Sequence, residues 1–87
     1  FRVLADENGN LLTDMELLAK LRTLRQTLAQ EERLPAYCVF TNDILSRLAT
    51  EKPMTREEFV EIKGIGEQRY KRFGERFIAE IRRHVES

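Results

Sequence analysis

Ile62-Lys63-Gly64-Ile65-Gly66-Glu67-Gln68-Arg69-Tyr70-Lys71-Arg72-Phe73-Gly74 is the stretch that decides how this chain folds. Gly64 and Gly66 flank one apolar residue, Ile65, and a helix-period pattern follows at once. Without a Cβ, two glycines at that spacing let the backbone turn sharply and approach something bulky. The helix behind them opens with free N–H groups pointing out of the turn, a ready place for an anion such as a phosphate. Two readings compete: a phosphate cradle, or a tight corner between helices.

Downstream of the turn, a last helix is expected to start at about Gly66. Tyr70, Phe77, Ile78, Ile81 and Val85 share one face, with Phe73 and His84 on its edge. Gly74 falls on the same inward face, where it would let a neighbour approach or the helix bend. On the opposite side Arg69, Arg72, Arg76 and Arg83 form a stripe. A solvated face is the plain reading of that stripe, with Glu80 in range of both Arg76 and Arg83. His84 is expected at the helix end, favoured there by the dipole.

Upstream, three helix starts are written in the capping residues. Thr55 with Glu58 makes a capping box, with Met54 and Phe59 as its hydrophobic staple. Thr41 is an N-cap with Asp43 in the first turn, and Ile44, Leu45, Leu48 and Ala49 face inward up to about Thr50. Thr13 with Glu16 marks a first helix to about Glu31, carried by Leu17, Leu21, Leu24 and Leu28. Arg22 and Arg25 lie on its flank, where a solvated face is the plain reading. Between the first two helices, Arg33 to Phe40 is a mostly apolar connector interrupted by Pro35. Such a loop must pack on the core. Its Tyr37 is expected to tuck its ring inward unless that ring serves a nucleobase.

The body is therefore expected to be all-α, a compact bundle of four helices over residues 13–87, or five if Gly74 breaks the last one. Residues 1–12 read as an N-terminal arm or linker remnant, with Asn8-Gly9 as a turn. The chain begins at Phe1 and is expected to be a piece of a longer polypeptide. Eighty-seven residues, 41% hydrophobic and 34% charged, suit one small globular domain. No apolar run approaches a membrane span.

The net charge of zero hides an asymmetry. From Lys63 onward there are seven Lys or Arg against four Glu, so the basic excess falls on the turn and the helix after it. One cysteine, Cys38, excludes an internal disulfide and is expected as a small buried hydrophobe. There is no Cys/His nucleophile pair, no metal-ligand cluster and no Walker loop. No catalytic residue, metal or cofactor is expected.

The apolar-Gly-apolar-Gly turn is similar to the helix-hairpin-helix element, whose backbone amides meet a phosphate. Glu67 would repel an anion there. More broadly, Leu17-Leu18-Ala19-Lys20-Leu21-Arg22-Thr23-Leu24-Arg25, Leu34-Pro35-Ala36-Tyr37-Cys38-Val39-Phe40-Thr41-Asn42 and Ile62 to Gly66 with Tyr70 to Gly74 resemble the HRDC (helicase and RNase D C-terminal) domain. The resemblance runs over residues 13 to about 85 and leans to the RecQ branch. It implies a non-catalytic accessory domain that docks single-stranded or structured DNA weakly, beside the helicase core of its parent chain. An ATP-dependent DNA helicase is the implied parent, and the isolated domain would be a monomer. It would work in the bacterial cytoplasm, near the nucleoid, or in a eukaryotic nucleus.

By that resemblance Tyr37 would stack a base, and Lys63, Gly64, Gly66, Arg69, Lys71, Arg72 and Arg76 would meet phosphate. The alternatives are a protein-interaction or intramolecular docking module with little DNA affinity, and the RNA-binding domain of an RNase D-type exonuclease.

Overall fold

The computed structural model describes residues 13–86, so the expected arm at residues 1–12 lies outside the described residues. The described chain is helical, in the order α1 (Met15–Glu32), α2 (Ala36–Val39), α3 (Asn42–Glu51), α4 (Arg56–Val60), α5 (Glu67–Arg69) and α6 (Glu75–Glu86). A π-helical segment, Tyr70–Gly74, joins α5 to α6 without a break, so the last three pieces form one rod. Counted that way there are five helical bodies. The fifth is α2, in the connector expected to be a loop, and does not come from a break at Gly74.

Each helix forms for reasons local to it. Leu17, Leu18, Leu21 and Leu28 put a buried stripe on α1, with Leu24 half-buried beside it. Arg33 closes α1 in the left-handed region at φ 56°, its amide donating to the carbonyls of Ala29 and Gln30. Thr41 caps α3 by accepting the Ile44 amide at 3.3 Å, and Thr55 caps α4 by accepting the Glu58 amide at 3.2 Å. Glu58 answers by accepting the Met54 amide at 2.9 Å, one residue earlier than a strict capping box.

The expected cap at Thr13 is off by one residue. Asp14 is the N-cap of α1, and its Oδ1 accepts the Leu17 amide at 3.1 Å. A carboxylate is the stronger acceptor and has further partners here. Lys52 Nζ lies 3.1 Å from Asp14 Oδ2, and His84 Nε2 lies 2.9 Å from the same oxygen. Lys20 Nζ reaches His84 Nδ1 at 3.0 Å. An ammonium can only donate, so Nδ1 accepts and Nε2–H points at Asp14. Thr13 instead bonds Thr50 through their hydroxyls, at 2.8 Å.

This cluster ties the start of α1 to the end of α3 and the end of α6. Lys52, only 2% exposed, sits there with its charge matched, as a buried cation must. His84 is thus a tie across the fold and more than the helix-end residue expected.

The core is aromatic at its centre. Phe40 is fully buried, with Phe77 at 4.9 Å, Phe59 at 6.0 Å and Phe73 at 6.3 Å between centroids, all edge-on. Tyr70 extends the cluster from Phe59 at 6.0 Å. The π segment belongs to this packing. A Cβ at residue 74 would stand 2.2 Å from Tyr70 Cδ1, so the Tyr70 ring occupies the space a side chain would need. The wider turn carries the helix past that ring without ending it.

Replacing a helical glycine with alanine normally stabilises, but Gly74→Ala should destabilise by about 1–3 kcal/mol through overpacking on Tyr70. Urea denaturation of the two proteins checks the sign.

Burial pushes the Asp14 carboxyl up, yet the Leu17 amide, His84 and Lys52 outweigh it and bring its pKa from 3.8 to about 2. A depressed carboxylate pKa contributes stability that is present above pH 4 and lost as pH falls through 2. The wild type should lose on the order of 2 kcal/mol over that window, and Asp14→Asn clearly less, in denaturation curves taken at stepped pH.

Candidate nucleic-acid interface

Pro35 caps α2 with an extended backbone, and the Cys38 amide donates to its carbonyl at 2.9 Å. On this single turn Ala36 and Val39 are three residues apart and share the inward face. Tyr37, between them, is left pointing out. It is 65% exposed, so of the two expectations for this ring the one that tucked it into the core does not hold. Phe40, Phe59, Phe73 and Phe77 are all buried and Tyr70 half-buried, so Tyr37 is the exposed ring among the described residues. Cys38 is half-buried, less enclosed than expected.

Arg25 of α1 lies beside this ring. Its Nη1 donates to the Phe40 carbonyl at 3.0 Å, and Arg25, Ala36, Tyr37, Thr41 and Asn42 line one shallow depression. Burial, and then the like charge of Arg22, lowers the Arg25 pKa from its ordinary value. A guanidinium stays charged at neutral pH regardless, so this is a crowded positive site that an anion would relieve. Sequence reasoning passed over Arg25 as part of a solvated face. The signal was its pairing with Arg22 on the flank that faces the connector.

The double-glycine turn is built as a corner. Ile62 and Ile65, on either side of Gly64, are buried. Gly64 has φ +100°, and a Cβ there would stand 3.2 Å from Ile44 Cδ1. Gly66 is extended, caps α5, and would have nothing within 4 Å of an added Cβ. At the mouth of the turn the Glu67 carboxylate is held by Arg56, whose guanidinium also lies over the Tyr70 ring at 5.4 Å. Arg69 leans back to the Gly64 carbonyl at 3.5 Å. Lys63 is exposed with no ion pair among the described residues.

The arginine stripe is engaged elsewhere. Arg72 pairs with Glu32 at 2.7 Å and Arg76 with Glu31 at 3.2 Å, both reaching from the last rod to the end of α1. Glu80 pairs with Arg83 at 3.7 Å but not with Arg76. Lys71 is exposed and unpaired among the described residues. The expected site residues thus fall into three places: Tyr37 on α2, the corner at Lys63 to Arg69, and the α1-facing arginines. Arg25 and Glu32 are seven residues apart on α1, so the first and third share a face about 10 Å apart along its axis. Among the described residues no cluster of His, Cys, Asp and Glu is placed to hold a metal ion.

The family profile described as the HRDC domain matches residues 14–81. ATP-dependent DNA helicase RecQ of Pasteurella multocida (strain Pm70) is 38% identical over 71 residues, covering 82% of this chain and 11% of that protein. ATP-dependent DNA helicase UvrD2 of Mycobacterium tuberculosis (strain ATCC 25618 / H37Rv) is 36% identical over 61 residues, covering 70% of this chain and 9% of that protein. The chain therefore spans only a small part of the length of the curated relatives it matches. A solved structure, D. radiodurans RecQ HRDC domain 3, superposes with a TM-score of 0.79 at 38% identity, over 82% of this chain and 93% of that one.

The two glycines of the corner should behave differently. Gly64→Ala forces a side chain into the left-handed region and should cost about 1–3 kcal/mol. Gly66→Ser keeps a good N-cap and should stay within about 0.5 kcal/mol of wild type. Thermal melts of both variants compare them directly.

Proposed function

The chain belongs to the HRDC domain family, and from that premise we propose that it is an accessory domain docking single-stranded or junction DNA weakly for a RecQ-like helicase. Tyr37 stacks a base, and Arg25 with Arg22 takes the adjoining phosphates. The observation that carries this reading is the exposed Tyr37 ring beside the crowded Arg25. Stacking on an aromatic platform contributes on the order of 1–3 kcal/mol per base and tolerates any sequence. Thr41 and Asn42, lining the same depression, add hydrogen-bonding groups next to the ring.

The glycine corner takes the second place. Lys63 offers free charge there, Arg69 a guanidinium, and Gly64 and Gly66 a close backbone approach, with Lys71 adding charge further along the rod. Glu67 puts a carboxylate in the way. Few cations are free on any one side, so binding is weak and falls with salt. The work of unwinding, with its ATP, belongs to the helicase core of the parent chain. The isolated domain acts as a monomer.

A second reading has its own support. Glu32 and Glu31 neutralise Arg72 and Arg76 of the basic stripe, and Glu67 neutralises Arg56 at the corner, which suits a module docking on protein more than on DNA.

Fluorescence anisotropy with a labelled oligothymidylate at about 50 and 200 mM salt separates the two. Tyr37→Ala should weaken binding about 5- to 100-fold, Tyr37→Phe far less. Absence of binding at the lower salt, or indifference to Tyr37→Ala, would sink the DNA reading.

A further inference from the structure

The last turn of α1 is chemically odd. It carries Glu31 and Glu32 and no basic residue, at the helix end where the macrodipole disfavours negative charge. What these carboxylates meet is Arg76 and Arg72, from the other end of the domain sequence. All four side chains are about half exposed, so each pair contributes only about 0–1 kcal/mol to folding. Such pairs are weak clamps that a competing anion can replace.

The arginines are also held ready. The Arg72 guanidinium lies over the Phe73 ring at 5.1 Å, and that ring is buried in the core cluster. Removing Glu32 would leave the guanidinium supported from beneath and presented to solvent. Arg33 and Lys71 stand next to the pairs in sequence, exposed and without an ion pair among the described residues. The α1 face that carries Arg25 leads to this spot.

We propose that Arg72 and Arg76 form a latent phosphate-binding surface that Glu31 and Glu32 hold closed. A strand seated on Tyr37 extends along α1 only by displacing the two carboxylates. In this form the inference rests on the DNA-docking reading. The latent surface itself rests on the ion pairs alone. The occupant is the sugar-phosphate backbone of single-stranded DNA, because two guanidiniums four residues apart, both reaching the end of α1, suit successive phosphates and read no base. Glu31 and Glu32 stand in for those phosphates, which makes the contact autoinhibitory.

The test uses the whole 87-residue chain and labelled oligothymidylate. Glu31→Gln/Glu32→Gln should bind about tenfold tighter at low salt. Its log–log salt slope should steepen by about 1.4, the increment for two added phosphate contacts on a single strand. Arg72→Gln/Arg76→Gln should change wild-type binding less than about twofold, yet remove the whole gain in the Glu31→Gln/Glu32→Gln background. Should that quadruple variant not fold, Glu32→Gln with Arg72→Gln reads the same coupling.

Glu51→Gln/Glu86→Gln removes the same charge at exposed positions elsewhere. An equal gain from that pair, or a gain that survives loss of both arginines, overturns the proposal. Binding that depends on Tyr37 but ignores Glu31→Gln/Glu32→Gln overturns it too and leaves the docking reading intact. Binding gained only in Glu31→Gln/Glu32→Gln, with none in wild type, keeps the latent surface and removes the Tyr37 reading. No binding in any variant ends both.

Discussion

The Phe40 ring is the constraint on which the rest of this domain depends. It sits where α2 hands over to α3 and makes edge-on contact with Phe59 of α4, Phe73 of the π segment and Phe77 of α6. Each such pair contributes about 0.5–1.5 kcal/mol beyond its buried area. One ring therefore references three separate stretches of chain to each other: its own connector, α4 and the last rod. Its backbone is fixed as well, because the Phe40 carbonyl accepts from Arg25. With residue 40 pinned at both ring and carbonyl, the single turn before it cannot rotate. Tyr37 is held outward as a consequence of how Phe40 is held inward.

The domain uses the same ionic chemistry in two energetic regimes. At one end Asp14, Lys52 and His84 are almost sealed from water, and every polar atom has a partner. Breaking such a group leaves a buried charge behind, which is far costlier than the pair is worth when intact. At the other end Glu31, Glu32, Arg72 and Arg76 lie half in water, where partners exchange cheaply. The sealed cluster belongs to the architecture. The open one can change partners without cost to the fold.

How much of this was legible in the sequence follows from the range of the forces involved. Leu17, Leu21 and Leu28 announced α1, and Thr41 and Thr55 announced α3 and α4, because spacing and capping act within one turn. Ile62, Gly64 and Ile65 marked the corner for the same reason. The four residues of α2 hold no full period, so its helix and the outward Tyr37 were hidden. Asp14 outcompeted Thr13 through partners 38 and 70 residues away, which no local rule can see. The arginine stripe was correctly placed on the surface, but its partners on α1 depended on how two remote helices meet. Of the candidate site, residue types were readable. Which of them were already engaged was not.

The Asp14–His84 contact has a topological side. Two residues 70 positions apart in sequence touch at 2.9 Å, one at the start of the first helix and the other near the end of the last. A polypeptide passing through this fold enters and leaves at nearly the same point in space. The domain is closed on itself like a bead hung from a thread, and its insertion, duplication or deletion leaves the path of the thread almost unaltered. Nothing in its core needs to span from one neighbour to another. A unit with that geometry can be added singly or in series to chains of quite different design, carrying its exposed ring and its paired arginines with it.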